Sequence, residues 1–178
     1  PLAGDRIVSP KRSAVARSEV MDTSRHAAHY IAVGEWLATL ESGTVTLIYA
    51  DRCRQRVRLI DDSGTPFLLD LMRPARLADG DGLVLADGTI IRVIAAPEPL
   101  TEAIASEAQH LARMAWHIGN QHAPAQIIND RCLRIVHDTA LEQVLRGLGA
   151  ETRTITAPFH PEGGAYVTSA ARHHHGHD

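Results

Sequence analysis

A chain of 178 residues, 44% hydrophobic but only 4% aromatic, has material for one domain or two small ones with cores of Leu, Val, Ile and Ala. A formal net charge of -3 gives no overall attraction to nucleic acid or to an anionic membrane. The two cysteines, Cys53 and Cys132, form no C-x-x-C pair or disulfide framework, and the longest apolar runs are too short to span a bilayer, so a soluble cytoplasmic protein is expected.

Residues 1–28 carry Ser, Arg, Pro and Ala with little periodicity and read as a flexible leader. From Thr44 the pattern alternates. Thr44 to Ala50 and Arg52 to Ile60 have a period of two, the second placing Arg52, Arg54, Arg56 and Arg58 on one face and Cys53, Val57 and Leu59 on the other. Asp61 to Thr65 is a turn into Pro66 to Leu71, hence a hairpin. Asp87-Gly88 between Leu83 to Ala86 and Thr89 to Ile94 is the strongest two-residue hairpin signal in the chain. Residues 29–96 therefore read as a small all-β domain.

After the stiff break at Pro97-Glu98-Pro99 the period changes. Leu100 to Ala105 reads as a strand, and Ser106 to Gln109 fits a capping box opening a helix. That helix, with Ala108, Leu111, Ala115 and Ile118 at core spacing, is expected to stop at Gly119. Ala125 to Ile128 and Cys132 to His137 read as strands around Asn129-Asp130. Asp138 caps a second helix with the stripe Leu141, Val144, Leu145 and Leu148, ending at Gly149, and Glu151 to Thr156 is a last strand. Strand, helix, strand, strand, helix, strand is the ferredoxin-like order, so the fold class is α+β, with residues 97–167 as the second domain. Residues 168–178 end in His173-His174-His175-Gly176-His177-Asp178, which builds no core and is expected to be mobile.

Histidine stands out, with 11 in the chain. The turn after Gly119 presents His122, and Pro124 prevents the helix from resuming, so one imidazole is held at a fixed corner. No Ser-His-Asp set, no H-E-x-x-H sequence and no neighbouring cysteine accompany it, so His122 reads as a ligand for carrying a metal and the protein as no enzyme. Taken alone, a histidine at a turn is more often a structural hydrogen-bonding group. His110 and His117, seven apart with Arg113 between, read as a solvated helical face with a secondary metal contact at most. His137 stands at a strand–helix junction and His160 in a loop. The tail reads as a purification tag, a solvated end or native ligands, and the break at Gly176 favours the last. Imidazoles suit nickel, zinc and copper alike, so composition does not choose among them. The arginine row lacks interleaved aromatics and is flanked by Asp51, Asp61 and Asp62, which favours a solvated or partner-docking strand face over RNA binding. Asp79-Gly80-Asp81-Gly82 fails as a calcium loop because Ile90 stands where the bidentate glutamate belongs.

Five ordered blocks now carry a resemblance. Gly119-Asn120-Gln121-His122-Ala123-Pro124, Leu133-Arg134-Ile135-Val136-His137-Asp138, Leu145-Arg146-Gly147-Leu148-Gly149, Ala157 to Tyr166 and the histidine tail together resemble the urease accessory nickel metallochaperones, the UreE family. The likeness is strongest from about Ser106 to Tyr166. It implies an N-terminal β domain that docks partners and a ferredoxin-like domain that dimerises, with one Ni(II) held between the two copies of His122. The family's His-x-His pair after the third strand is incomplete here, since His137 is followed by Asp138 and Thr139, leaving His137 a lesser ligand. By the same resemblance the partners are the urease accessory GTPase and the urease apoprotein complex. Two imidazoles on a two-fold axis leave the shell open for His117, for the tail histidines His173, His174, His175 and His177, or for water, and an open shell both binds and releases. Since a ligating imidazole must be neutral, affinity is expected to fall as pH drops through the ordinary histidine range, around 6.5. A peptide-binding co-chaperone, a store of Zn(II), Cu(II) or Ni(II), and a dimer of dimers around metal are the alternatives left open.

Overall fold

A computed structural model describes residues 25–163. The chain divides into two compact units, Pro1–Pro97 and Glu98–Asp178. The architecture is mixed α and β, with one sheet in each unit.

The first unit contains β1 (His26–Ile31), a 3-10 turn at Ala38–Leu40, β2 (Glu41–Leu47), α1 (Tyr49–Arg52), β3 (Arg56–Ile60), β4 (Pro66–Asp70), β5 (Gly82–Leu85) and β6 (Ile90–Ala95). The strands form one sheet in the order β2-β6-β5-β1-β4-β3. β1 runs parallel to β4 and β2 parallel to β6, while β3–β4 and β5–β6 are the antiparallel hairpins the turn signals predict. Gly88 holds the tight β5–β6 turn at φ +83°, a conformation that favours glycine. Val45, Leu47, Leu59, Phe67, Leu69, Leu83, Ile91 and Val93 fill the core, each large side chain contributing roughly 1.5–3 kcal/mol by leaving water.

Two expectations for this unit are corrected. The leader does not extend to Ala28: β1 begins at His26, Ala27 is fully buried between β4 and β5, and Arg25 pairs with Asp61 at 2.7 Å. Its small apolar residue carries little periodic signal, so partners from distant strands settle the assignment. Nor is Arg52 to Ile60 one strand. Tyr49–Arg52 is a turn of helix, Arg52 is 3% exposed, and its guanidinium donates to Leu77 O at 3.0 Å while lying 5.6 Å from the Tyr49 ring centroid. Burying that arginine breaks the row. The carboxylates of the rejected calcium loop serve the backbone: Asp81 accepts from Val33 N and Ala78 N, and Asp79 from Ala95 N.

The second unit contains β7 (Pro97–Ile104), α2 (Ala108–Asn120), β8 (Gln126–Asn129), β9 (Cys132–Val136), α3 (Thr139–Gly147) and β10 (Glu151–Pro158). Its sheet order is β10-β7-β9-β8, with β9 antiparallel to both β7 and β8. Ala103, Leu133 and Ile135 from the strands meet Leu111, Met114 and Ile118 of α2 and Leu145 of α3. Glu102 ties three strands together. From β7 it accepts Arg134 Nε of β9 at 2.8 Å and Arg153 Nε of β10 at 2.7 Å. Burial alone would raise the Glu102 carboxyl, but the two guanidinium groups outweigh it and its pKa lies below the ordinary value.

The predicted capping box is replaced by another device. Helix α2 starts at Ala108, and no side chain of Glu107 caps it. Instead Ser106 N donates to His110 Nδ1 at 3.1 Å, which draws the imidazole inward to 9% exposure. His110 is therefore not on a solvated face, and Ala108 is exposed. The predicted cap of α3 is present: Asp138 Oδ1 accepts from Leu141 N at 2.9 Å.

Candidate metal centre

The end of α2 differs from its expected stop in a way that matters chemically. Gly119 lies inside the helix, which continues to Asn120 with Gln121 as its C-cap. His122 N donates to Gly119 O at 2.9 Å and Ala123 N to Ile118 O at 3.3 Å, the paired bonds of a Schellman ending. The residue after the cap must then turn left-handed, and that residue is His122, at φ +54°. Among the described residues no other non-glycine has positive φ. Helix α3 ends with the same bond pattern, Gly149 N to Arg146 O and Ala150 N to Leu145 O, and there the left-handed residue is Gly149 at φ +94°. The two endings set the ordinary solution beside the costly one: a left-handed L-residue stores roughly 1–2 kcal/mol, less for histidine than for most.

That geometry fixes where the imidazole goes. His122 is exposed, and its ring makes no hydrogen bond among the described residues. Ala123 packs with Ile118 in the core, and Pro124 keeps Ala123 extended, so the backbone on both sides of His122 is anchored. The backbone is held and the exposed imidazole has a nitrogen lone pair to offer to solvent or to a ligand.

Other candidates gather at the same end of the sheet. β9 ends there, because Gln126 at the start of β8 lies opposite Arg134. His137 follows, with its backbone N bonded to Pro99 O at 3.0 Å and its Nδ1 3.0 Å from Thr101 Oγ1, which leaves Nε2 as its outward nitrogen. The chain leaving β10 arrives there too: His160 N donates to Gln126 Oε1 at 3.1 Å and Glu162 N to Ala125 O at 2.8 Å. β10 and β8 are opposite edges of the sheet, so residues 159–162 form an extended strap across its end. Four extended residues reach about 14 Å, the width of three strand spacings. The strap thus brings the chain at Gly163 to the corner that bears His122. Thr101 and Gln126 had no signal in the sequence, since each finds its partner across the sheet.

His117 is half-buried on α2 and edge-on to Trp116, with ring centroids 4.8 Å apart, while Trp116 itself is 63% exposed. Its ring makes no hydrogen bond among the described residues. His110, with Nδ1 committed to Ser106, is turned to the interior. The tail histidines His173, His174, His175 and His177 lie outside the described residues, as do Gly164 to Tyr166. Among the described residues no three His, Cys, Asp or Glu side chains are grouped to hold one ion.

Comparison with known proteins matches these features to a family. Residues 23–96 match the family model described as UreE urease accessory protein, N-terminal domain, and residues 98–178 match the C-terminal domain of the same family. A protein of Chelativorans sp. (strain BNC1) named urease accessory protein UreE is 47% identical over 137 residues, covering 75% of this chain and 86% of that protein. The chain belongs to the UreE family. Two proteins of Rhodopseudomonas palustris with the same name are 47% identical (strain BisB18) and 49% identical (strain HaA2), covering 74% and 70% of this chain. The matched segments span 62% and 57% of the length of those two relatives. The UreE family is one of urease accessory proteins, which assist an enzyme rather than act as one.

Proposed function

We propose that this chain is a cytoplasmic metallochaperone that binds Ni(II) as cargo and delivers it for assembly of the urease active site. The observation that carries the reading is His122: an L-residue in the left-handed ending of α2, exposed and with its ring unbonded among the described residues, where α3 uses glycine. A conformational cost borne at one exposed imidazole is accounted for by what the imidazole must meet.

In this reading residues 97–167 form a ferredoxin-like unit, supported by the strand and helix order and by the sheet order β10-β7-β9-β8. Two copies of the unit dimerise so that their His122 side chains face one another across a two-fold axis and share one ion. Exposed Val136, the last residue of β9, supplies apolar surface at that end of the sheet, and exposed Ile127 and Ile128 extend it along β8. His137, with Nδ1 on Thr101, offers Nε2 as a lesser ligand, and His117 a weaker one. The strap at Gln126 starts the tail from the same corner, so His173, His174, His175 and His177 are candidates to close the shell. His173 lies ten residues past Gly163, a contour of at most about 35 Å, ample to reach back. An open shell of two interface imidazoles plus exchangeable donors holds an ion and also passes it on. Zn(II) and Cu(II) fit the same donors, and copper binds such nitrogen sites more tightly in general, so nickel loading depends on supply and on the partner. Residues 29–96 dock the partners, the urease accessory GTPase and the urease apoprotein complex. No described helix is long and apolar enough to cross a membrane.

Counting protomers per ion tests the reading. Native mass spectrometry with nickel is expected to give one interface ion per dimer, and a dimer of dimers at higher loading. In a chain whose tail histidines are changed to serine, His122→Ala is expected to abolish that ion. Nickel retained by this tail-silenced His122→Ala chain, at wild-type stoichiometry, would refute the proposed site.

A further inference from the structure

The arginines of the sequence row that remain in a strand have a surface that the metal site does not use. β3 is the last strand of the six-stranded sheet, so among the described residues it pairs with β4 on one side and with no strand on the other. Leu71 N donates to Gln55 O and Asp61 N to Thr65 O, so the odd-numbered residues of β3 are those bonded to β4. By the alternation of an antiparallel ladder, the backbone N–H and C=O of Arg56 and Arg58 point to the open side. Arg54, Arg56 and Arg58 are all exposed. Arg54 and Arg58 have no ion pair among the described residues, and Arg56 only approaches Asp70 at 3.7 Å, with 71% of its side chain in water. On the paired side, then, a carboxylate stands opposite an arginine in register, Arg56 against Asp70. On the open side no carboxylate among the described residues does.

We infer that this edge of β3 receives an extended acidic segment of a partner protein, which adds a strand to the sheet. Its backbone would satisfy the free groups of Arg56 and Arg58, and its alternate carboxylates would stand beside Arg56 and Arg58 as Asp70 does on the other side, with Arg54 in the turn just before them. The chemistry selects this occupant over others. A second copy of the same edge would set arginine against arginine. A nucleic acid would meet Asp70 on the same face and Asp61 and Asp62 just beyond, finds no interleaved aromatic ring, and leaves the strand's backbone groups unused. The turn after Ile60 is tied to β2, with Asp62 N on Thr44 O at 2.8 Å and Thr46 N on Asp62 Oδ1 at 3.1 Å, and Arg54 stands in the turn before β3 with its N–H on Asp51 O at 3.2 Å, so the free stretch runs from Arg56 to Arg58. Charged edges also serve simply to prevent aggregation, and the test separates that role from docking.

The probe is a fluorescent peptide of about ten residues alternating Glu and Thr, the length of a strand, titrated into the full chain and followed by anisotropy. The controls are a peptide of equal charge with prolines replacing two threonines, one with Gln replacing Glu, and a single-stranded RNA of similar length. Saturable binding of the Glu-Thr peptide is expected, with slowed hydrogen exchange at the amides of Arg56 and Arg58. The chain with Arg56→Ser and Arg58→Ser together should bind about fivefold more weakly, the product of two cross-strand charge pairs of ordinary strength, with an unchanged melting temperature. If that chain does not fold, Arg58→Glu alone should still weaken the Glu-Thr peptide. Equal binding of the proline peptide would reduce the edge to a diffuse charge, undiminished binding by the arginine variants would move the site elsewhere, and displacement of the peptide by RNA at about 0.15 M salt would make it a nucleic-acid surface. Each of these overturns the inference. The edge belongs to the N-terminal unit, so nickel binding by the arginine variants stays at the wild-type level whichever way the result falls.

Discussion

Replacing His122 with glycine separates what that position does for the fold from what it does for a metal. At φ +54° an L-residue carries roughly 1–2 kcal/mol of left-handed strain that glycine does not. Glycine loses more backbone freedom on folding, about 0.5–1 kcal/mol, and the exposed imidazole gives up no burial when removed. The net is a gain of about 0.5–1 kcal/mol for His122→Gly, or about 2–8 °C in melting temperature for a unit of this size. His122→Ala keeps the strain and gains nothing. Thermal unfolding of the metal-free proteins by circular dichroism, beside nickel dialysis of each, should therefore order the folds Gly above His and His level with or above Ala, while both variants lose the interface ion. A His122→Gly protein that melts at or below the wild type refutes the assignment of strain to this residue. The same result would remove the main support for its being kept there for a ligand.

The remaining predictions concern the frame around the corner. Because the Glu102 carboxyl has its folded-state pKa lowered, it contributes stability that is fully present above the unfolded value, about 4.3, and is lost as pH falls through the folded value. Glu102→Gln should cost about 2–3 kcal/mol at neutral pH, less than the roughly 3–5 kcal/mol of breaking a fully buried pair because Arg153 is largely in water, and should flatten the acid limb of stability in urea titrations at a series of pH values. Gly149→Ala, forced to φ +94°, should destabilise by about 1–2 kcal/mol in the same titration, the reverse of glycine at His122.

Most of the second unit was legible in its sequence because its signals are local. The apolar spacing of α2 and α3, the Asp138 cap, the Gly149 stop and the change to a period of two are each written within a few residues, and the observed elements follow them closely. In the first unit the hairpin turns were equally plain, whereas β1 and the fate of Arg52 were not. β1 is a strand because β4 and β5 flank it, and Arg52 leaves its row because Leu77, distant in sequence, accepts its guanidinium. The alternation that placed four arginines on one face was a true local pattern overridden by burial.

His122 was legible as the residue to watch, and so was the family resemblance, since both rest on short ordered motifs. Left-handedness at His122 was not, because Gly119 nearby is the stronger stop by composition, and only the bonds from His122 N and Ala123 N reveal which residue must turn. In the same way Ser106 and His110 exchange roles expected of Ser106 and Gln109, and one histidine passes from solvent to interior.

By itself the sequence determined the hairpin turns of the first unit, the order of elements in the second, the cap and stop of α3, and which imidazole stands at a corner, because these depend on neighbours a turn or a strand pair away. Tertiary structure alone decided which arginine is swallowed and which remain outside, that the strap carries the chain past β10 across the sheet, and that the corner histidine bears the left-handed turn. Those outcomes are set by partners far apart along the chain, whose hydrogen bonds and burial outweigh the preference of any single segment.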